Sequence, residues 1–261
     1  IQESMQIYLE QITREMDSDY YDMIGIVNQM SPNGLIGSVT ERYLSAEDNY
    51  DRYFEQKSLR EELIKLGYVN TKLLGIAYYD PKEQKELLGN FNVRVLEPSY
   101  QTISKVVVGA DNIIQAMHAS YLGIKETPVV SVMRRISFGN KQMLDIYAEI
   151  EPDMSVSDRL NKEKWPYTYM ELDENGIVQY SNNPVLVRGQ KLLSKLPEKE
   201  ECVVTNQEGY KIMVYRSPIG YSNAIALPEN TYQKEMNIWR MKLVVIILAT
   251  CSIFSCSVIY L

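Results

Sequence analysis

Polar and apolar side chains alternate along residues 143–150, a pattern typical of a strand with one buried face. The apolar positions are Leu144, Ile146, Ala148 and Ile150. The opposite face carries Asp145, Tyr147 and Glu149. A carboxylate and a phenol that project from one strand face could hold the hydroxyl or amine of a small ligand. The segment is therefore a candidate for one wall of a binding site.

Neighbouring segments could complete such a site. Tyr79 ends an apolar run in which Leu74, Ile76 and Tyr78 alternate with Gly75 and Ala77. Arg94 and Arg135 belong to further strand-like runs, and a guanidinium group can bind a carboxylate through two hydrogen bonds. The predicted ligand-binding residues are Tyr79, Arg94, Arg135, Asp145 and Tyr147. The alternative is that these polar residues form an ordinary solvated face of a sheet.

Motifs for catalysis are missing from the sequence. It contains no G-x-S-x-G nucleophile motif, no glycine-rich phosphate loop and no H-E-x-x-H zinc motif. The single histidine, His118, lies in an apolar stretch and is interpreted as structural or solvent-facing. No catalytic residue, metal site or cofactor is therefore predicted for this chain.

Charge and cysteine content exclude further classes. The net charge of −7 leaves no basic surface for nucleic acid, so nucleic-acid binding is not expected. Of the three cysteines, Cys251 and Cys256 lie in an apolar C-terminal run and only Cys202 lies outside it. A disulfide-stabilised fold is therefore excluded for the rest of the chain.

The N-terminal region is expected to be helical. Apolar residues recur at steps of three and four between Met5 and Met30, which predicts one long amphipathic helix. It could be a rod that rises from a first membrane span, or it could lie on the core of its own chain. Residues 31–34, Ser-Pro-Asn-Gly, form a turn signal. A second helix is predicted from the capping segment at 45–48 to Leu66.

From Lys72 onwards the patterns become strand-like and fall into two groups. The first group comprises Leu73–Tyr79, Leu88–Val95, Val129–Ile136 and Met143–Ile150, with a helical stretch predicted at Asp111–Tyr121. The second comprises Tyr167–Leu172, Ile177–Ser181, Cys202–Thr205, Tyr210–Arg216 and Tyr221–Leu227, with a short helix predicted at Gln190–Leu196. A further short helix is predicted at 158–164. The fold class is therefore α+β, with two antiparallel-sheet modules in series.

The C-terminal segment Leu243–Leu261 has no charged residue and is about as long as the roughly 20 apolar residues that cross a bilayer. Trp239, Arg240 and Lys242 precede it, where side chains that favour a membrane interface are expected. We therefore predict a transmembrane helix, entered from a helix that starts near Pro228. We also expect the protein to continue beyond Leu261.

This order of elements resembles the double Cache (PAS-like) sensor domains of bacterial receptors. Four short sequence motifs resemble the sensor region of YesM-like histidine kinases. They are Pro128–Ile136 (PVVSVMRRI), Asp145–Ile150 (DIYAEI), Glu171–Val178 (ELDENGIV) and the stretch from Ser217-Pro to Leu227-Pro-Glu. Membrane regulators with an AraC-type DNA-binding output are similar over the same stretch.

The resemblance implies a division into a helical stalk (1–68), a membrane-distal module (69–150), a membrane-proximal module (151–228) and a juxtamembrane and transmembrane helix (229–261). It implies an extracytoplasmic domain that senses a small ligand or a ligand-loaded binding protein, located at the cell membrane. The full protein would be a two-component histidine kinase that acts on a cytoplasmic response regulator. It would be a homodimer, paired through the apolar seam between Met5 and Met30. The alternatives are an AraC-type regulator and a chemoreceptor or other non-kinase receptor.

Overall fold

The computed structural model describes most of the chain. The described residues are 2–89, 103, 111–122, 128–139, 141–152, 167–182, 185–186 and 188–259, without the side chains of 232, 235 and 252–259. The helices are α1 (Gln2–Met30), α2 (Leu35–Ser45), α3 (Asn49–Val69) and α4 (Glu229–Ile259). The strands are β1 (Leu73–Asp80), β2 (Lys85–Gly89), β3 (Ile113–Ala119), β4 (Pro128–Ser137), β5 (Met143–Ile150), β6 (Thr168–Leu172), β7 (Val178–Ser181), β8 (Cys202–Gln207), β9 (Tyr210–Arg216) and β10 (Ser222–Pro228).

Helix α1 is 29 residues long and spans both sheets of the molecule. Its N-terminal half contacts β9 and β10, while its C-terminal half contacts β4 and β5. The apolar seam predicted from the sequence is buried throughout, from Met5 to Met30, in the chain's own core. Burial of the seam stabilises the helix, since most helical stability comes from packing of an apolar face.

The buried seam settles one of the two interpretations of α1. Because Met5, Met23 and Met30 are fully buried within the chain, the seam is not available to pair with a second copy. The expected dimer contact through this seam is therefore wrong, and the interpretation as a helix that lies on its own core is confirmed. Whether the protein is a homodimer through another surface stays a prediction.

Helices α2 and α3 form a corner beside the first sheet. Asp48 caps α3, since its carboxylate accepts hydrogen bonds from the backbone N–H groups of Tyr50 and Asp51, both at 2.8 Å. The predicted helix start is thereby confirmed. Helix α2 lies where no helix was predicted, between the turn at residues 31–34 and Ser45.

The first sheet contains five antiparallel strands in the order β2-β1-β5-β4-β3. The second also contains five antiparallel strands, in the order β7-β6-β10-β9-β8. Strand β10 is the central strand of the second sheet, and it ends at Pro228, directly before α4 begins at Glu229. The α+β class with two serial antiparallel sheets is therefore confirmed.

Two predicted helices are not found. The stretch predicted as a helix at Asp111–Tyr121 is instead the edge strand β3, which pairs with β4. The register of this pair shifts between Gln115 and His118, so its apolar residues do not alternate regularly. Residues Gln190–Leu196 are not helical, and Lys191 forms an isolated bridge with Ile177. In β3, pairing with β4 outweighs local helical propensity.

Other predictions fall partly outside the described residues. The predicted strand Leu88–Val95 agrees with β2 only through Gly89, and residues 90–95 lie outside the described part. The predicted short helix at 158–164 lies wholly outside it.

None of the described helices combines the length and the apolar character that a membrane crossing requires. The transmembrane helix predicted at Leu243–Leu261 is therefore not found in the described part of the chain.

Candidate functional site

The two faces of the first sheet have different surroundings. Ile76, Leu144 and Ile146 belong to the core that the sheet shares with α1. The opposite face carries Tyr79 and Tyr147, which form a separate buried cluster. Their cluster partners are Ala77, Ile103, Leu122 and Met133. The structure thus places the predicted ligand residues on the face that points away from the helices.

Strand register aligns this face in three rows across β1, β5 and β4. The rows are Tyr79–Asp145–Arg135, Ala77–Tyr147–Met133 and Gly75–Glu149–Ser131. Directly opposed residues in antiparallel strands have Cβ atoms about 4.5–5.5 Å apart. The structure therefore brings Tyr79, Arg135, Asp145 and Tyr147 together on one face, while Arg94 lies outside the described residues.

Arg135 and Asp145 form an ion pair across the strands. The Arg135 Nε donates to Asp145 Oδ1 at 2.6 Å, and its Nη2 donates to Oδ2 at 2.9 Å. The Asp145 side chain is fully buried, so its charge needs this partner. The two residues were predicted to bind opposite ends of a ligand, but in the structure they neutralise each other.

Glu149 is the second buried carboxyl group on this face. Its Oε2 accepts a hydrogen bond from the Tyr147 hydroxyl at 2.5 Å, and its Oε1 accepts one from the Ser120 hydroxyl at 2.6 Å. Burial raises the pKa of Glu149, and the hydrogen bonds from Ser120 and Tyr147 oppose that rise. Among the described residues only neutral groups donate to this carboxyl.

His118 borders the same face at the end of β3. Its Nδ1 lies 2.7 Å from the Ala119 carbonyl oxygen and its Nε2 lies 2.8 Å from the Ser131 hydroxyl. The ring stacks on Tyr121 with a centroid distance of 4.2 Å. Burial lowers the pKa of His118 to about 4, so the ring is neutral near pH 7. Nδ1 then donates to the carbonyl, and Nε2 accepts from Ser131.

Glu149, His118, Ser120 and Tyr121 were absent from the predicted site. Glu149 could have been included, because it follows Asp145 and Tyr147 in the same alternation. The other three come from β3 and the turn after it. This region was predicted to be a helix, which would have directed these side chains elsewhere.

A second buried polar group lies between the two sheets. Glu171 of β6 accepts a hydrogen bond from the backbone N–H of Met117 in β3 at 2.8 Å. The Tyr169 hydroxyl lies 3.1 Å from the other oxygen of the carboxyl group. From α1, the Tyr20 hydroxyl donates to the Gln115 carbonyl oxygen at 3.0 Å. Polar contacts from β6 and α1 therefore hold strand β3 at the irregular part of its ladder.

A cavity of about 640 Å³ lies beside Glu171, between the sheets. Its lining includes Tyr20, Asp173, Gln179, Arg216 and Tyr221. Within the described ranges, no group of three or more histidine, cysteine or acidic side chains is arranged to hold a metal ion.

Comparison by sequence finds no relative of this chain. No family model matches it, and no curated protein matches it.

Comparison by structure finds extracellular sensor domains. The sensor domain of the V. cholerae histidine kinase DctB matches with a TM-score of 0.54 and 10% identity, over 87% of this chain and 96% of that one. The ligand-binding domain of the Pseudomonas aeruginosa amino acid chemoreceptor PctB, in complex with L-arginine, matches with a TM-score of 0.56 and 7% identity, over 92% of each chain. The ligand-binding domain of the Pseudomonas fluorescens chemoreceptor CtaA, in complex with L-serine, matches with a TM-score of 0.51 and 9% identity, over 88% of this chain and 100% of that one.

These matches cover most of both chains. At this level of identity they establish the fold. The chain therefore has the Cache-like fold of the extracellular sensor domains of histidine kinases and chemoreceptors.

Proposed function

We propose that this chain is the extracytoplasmic ligand-sensing region of a membrane receptor, and that it binds a small ligand with a cationic group on the first sheet. The observation that carries the proposal is the environment of Glu149. This carboxyl group is fully buried, and among the described residues it has no cationic partner. A ligand ammonium group would supply the missing charge.

The row that contains Glu149 is the least bulky of the three. Its neighbours across the strands, Gly75 and Ser131, are together smaller than the pair that flanks Asp145 or the pair that flanks Tyr147. Tyr147 and Tyr79 follow along the same face, where their rings could contact an apolar part of the ligand. Arg135 remains the candidate for a ligand carboxylate, although its pairing with Asp145 reduces its availability. Arg94 remains a candidate as predicted from the sequence.

We propose that the full receptor signals as a two-component histidine kinase, because its sequence motifs resemble those of YesM-like kinases. Fold neighbours include both kinase and chemoreceptor domains, so a chemoreceptor is the main alternative. The domain boundaries stay as predicted: 1–68, 69–150, 151–228 and 229–261. A dimer at the cell membrane and a cytoplasmic response regulator are the expected partners.

Signal transfer would use the direct connection between β10 and α4. A shift of the second sheet would move the start of α4, since no loop separates Pro228 from Glu229. A ligand can shift this equilibrium only by the difference between its affinities for the two states. Fusion of the chain to a reporter kinase, with phosphorylation measured as ligand is added, tests this transfer; phosphorylation that never responds to a bound ligand would contradict it.

A thermal-shift screen tests the binding site. The probes are free amino acids and simple amines, compared with organic acids and neutral sugars. We expect at least one amine-bearing probe to raise the melting temperature, because a ligand that binds only the folded state stabilises it. Glu149→Gln keeps the shape of the side chain but removes its charge. The variant should need at least about ten times more ligand for the same rise in melting temperature.

Glu174→Gln is the matched control, because Glu174 is an exposed carboxylate in the turn between β6 and β7. It should leave the ligand response unchanged. Stabilisation only by organic acids, or an amine response that survives Glu149→Gln, would contradict the proposed site.

A further inference from the structure

Glu171 connects the two sheets through a buried hydrogen bond. Its side chain is 1% exposed, and its Oε2 accepts from the Met117 N–H at 2.8 Å. Met117 lies where the β3–β4 register shifts, so this N–H belongs to an irregular part of the ladder. A buried backbone N–H needs a partner, and here the partner comes from the other sheet.

The Tyr169 hydroxyl has three acceptors within reach. Its oxygen lies 3.1 Å from Glu171 Oε1, 2.9 Å from Asn223 Oδ1 and 2.7 Å from Met16 Sδ of α1. The thioether sulfur is the weakest acceptor of the three. A hydroxyl has one proton and can donate it fully to only one of these oxygens at a time. Asn223 in turn donates from Nδ2 to the Thr13 hydroxyl of α1 at 3.0 Å. The Tyr169 hydroxyl can thus donate its proton either to Glu171 or to Asn223, and Asn223 in turn contacts α1.

We infer that Glu171 is a proton-operated joint between the two sheets. When Glu171 is ionised, Tyr169 donates to it and both carboxylate oxygens act as acceptors. When Glu171 takes up a proton from water, a new O–H bond forms on Oε1 and donates to the Tyr169 oxygen. Tyr169 then donates to Asn223, and the bond from Met117 to the now neutral carboxyl becomes weaker. The joint works in this way whether or not a ligand binds the first sheet.

The surroundings place this change near neutral pH. Burial raises the pKa of Glu171 to about 7, and the hydrogen bonds from Met117 and Tyr169 oppose that rise. Water can supply the proton through the adjacent cavity, because Glu174 and Lys199 on its lining are exposed.

Several other titratable groups face the joint. They are Asp17, Asp19 and Tyr20 on α1, Tyr169 on β6, Asp173 directly after β6, Tyr180 on β7, and Arg216 and Tyr221 near the turn between β9 and β10. Asp19 is paired with Lys72 at 2.7 Å. Burial raises the pKa values of Tyr20, Tyr169 and Tyr221 well above 10, so these phenols stay neutral. The single histidine has a pKa of about 4, so a transition near pH 7 cannot come from it.

The backbone amide of Met117 reports on the joint directly. In protein labelled with ¹⁵N-methionine, we expect the Met117 amide resonance to shift between pH 5.5 and 8.5 with a midpoint near 7. The amide of Met143, at the start of β5, serves as the internal reference. Glu171→Gln holds the joint in its neutral form and should abolish the transition.

Two further variants make the test specific. Tyr169→Phe removes a donor to the ionised form, so the midpoint should move to higher pH. Glu174→Gln, in the same hairpin but exposed, should leave the midpoint within about 0.2 of the wild-type value. The inference is overturned if the Met117 amide does not titrate in the wild type, or if the same transition persists in Glu171→Gln.

Discussion

At the scale of single residues, the two buried carboxyl groups of the first sheet have different kinds of hydrogen-bond partner. Asp145 has a guanidinium partner, whereas Glu149 has two hydroxyl donors. A charge that is already paired contributes mainly to the fold, because breaking the pair leaves the other charge buried. The ion pair thus gives Asp145 a structural role on this face, and Glu149 is the carboxyl group that we propose for ligand binding.

The structural role of Asp145 can be measured as a double-mutant cycle with Arg135. Asp145→Ala should lower the free energy of unfolding by roughly 2–4 kcal/mol, because a partly buried guanidinium loses its partner. Arg135→Met combined with Asp145→Ala should cost less than the sum of the two single changes. Urea denaturation gives these values.

The exposed pair of Arg42 and Glu55 provides the control, with a shortest distance of 3.1 Å. Glu55→Ala should change the free energy of unfolding by less than about 1 kcal/mol, as is usual for surface pairs. An Asp145→Ala variant no less stable than Glu55→Ala would show that the buried pair does not stabilise the sheet.

At the scale of elements, the corner between α1 and α2 depends on close backbone approach. A Cβ atom at Gly37 would lie 1.8 Å from the Ser31 carbonyl oxygen, so the two elements could not keep their present distance. A Cβ atom at Gly25, inside α1, would have no neighbour within 4 Å. The two glycines therefore differ in what they do for the fold.

Alanine substitutions separate these two cases. Gly37→Ala should lower the free energy of unfolding by about 1–3 kcal/mol, the usual cost of forcing extra atoms into a packed site. Gly25→Ala should raise it by roughly 0.5–1 kcal/mol, since alanine favours the helix more than glycine does. Thermal unfolding measures both, and a tolerated Gly37→Ala would mean that α2 can shift away from the turn.

The same scale explains what could be predicted from sequence. The seam of α1 and the alternation around Tyr147 are local patterns, and both were predicted correctly. Strand β3 was not, because its irregular ladder with β4 gives no alternation to detect. The pairing of Arg135 with Asp145 depends on register, and the burial of Glu171 depends on how the two sheets meet. Neither is encoded in a short window of sequence.

At the scale of the whole molecule, the buried acids govern how stability depends on pH. Burial raises the pKa values of Glu171, Glu149 and Asp17. Such a group keeps its proton in the folded state after the unfolded chain has lost it. Each therefore stabilises the folded state at low pH, and this contribution is lost as the pH rises through the folded pKa.

For Glu171 the relevant window runs from 4.5 to about 7. We expect the melting temperature to fall as the pH rises through this range, and Glu171→Gln to flatten the fall. The contribution of this group is on the order of 3 kcal/mol, since a difference of one in pKa corresponds to about 1.4 kcal/mol. Calorimetry at several pH values measures this. Parallel curves of melting temperature against pH for the wild type and Glu171→Gln would contradict the prediction.

Helix α1 touches both sheets along one continuous face. Successive residues in a helix are rotated by about 100°, so one inserted residue would turn every later side chain away from its partner. The spacing between the contacts of Thr13 with the second sheet and of Tyr20 with the first cannot drift by single residues. Among related proteins, changes in length should therefore collect in the loops, while the segment of α1 between these contacts keeps a constant number of residues.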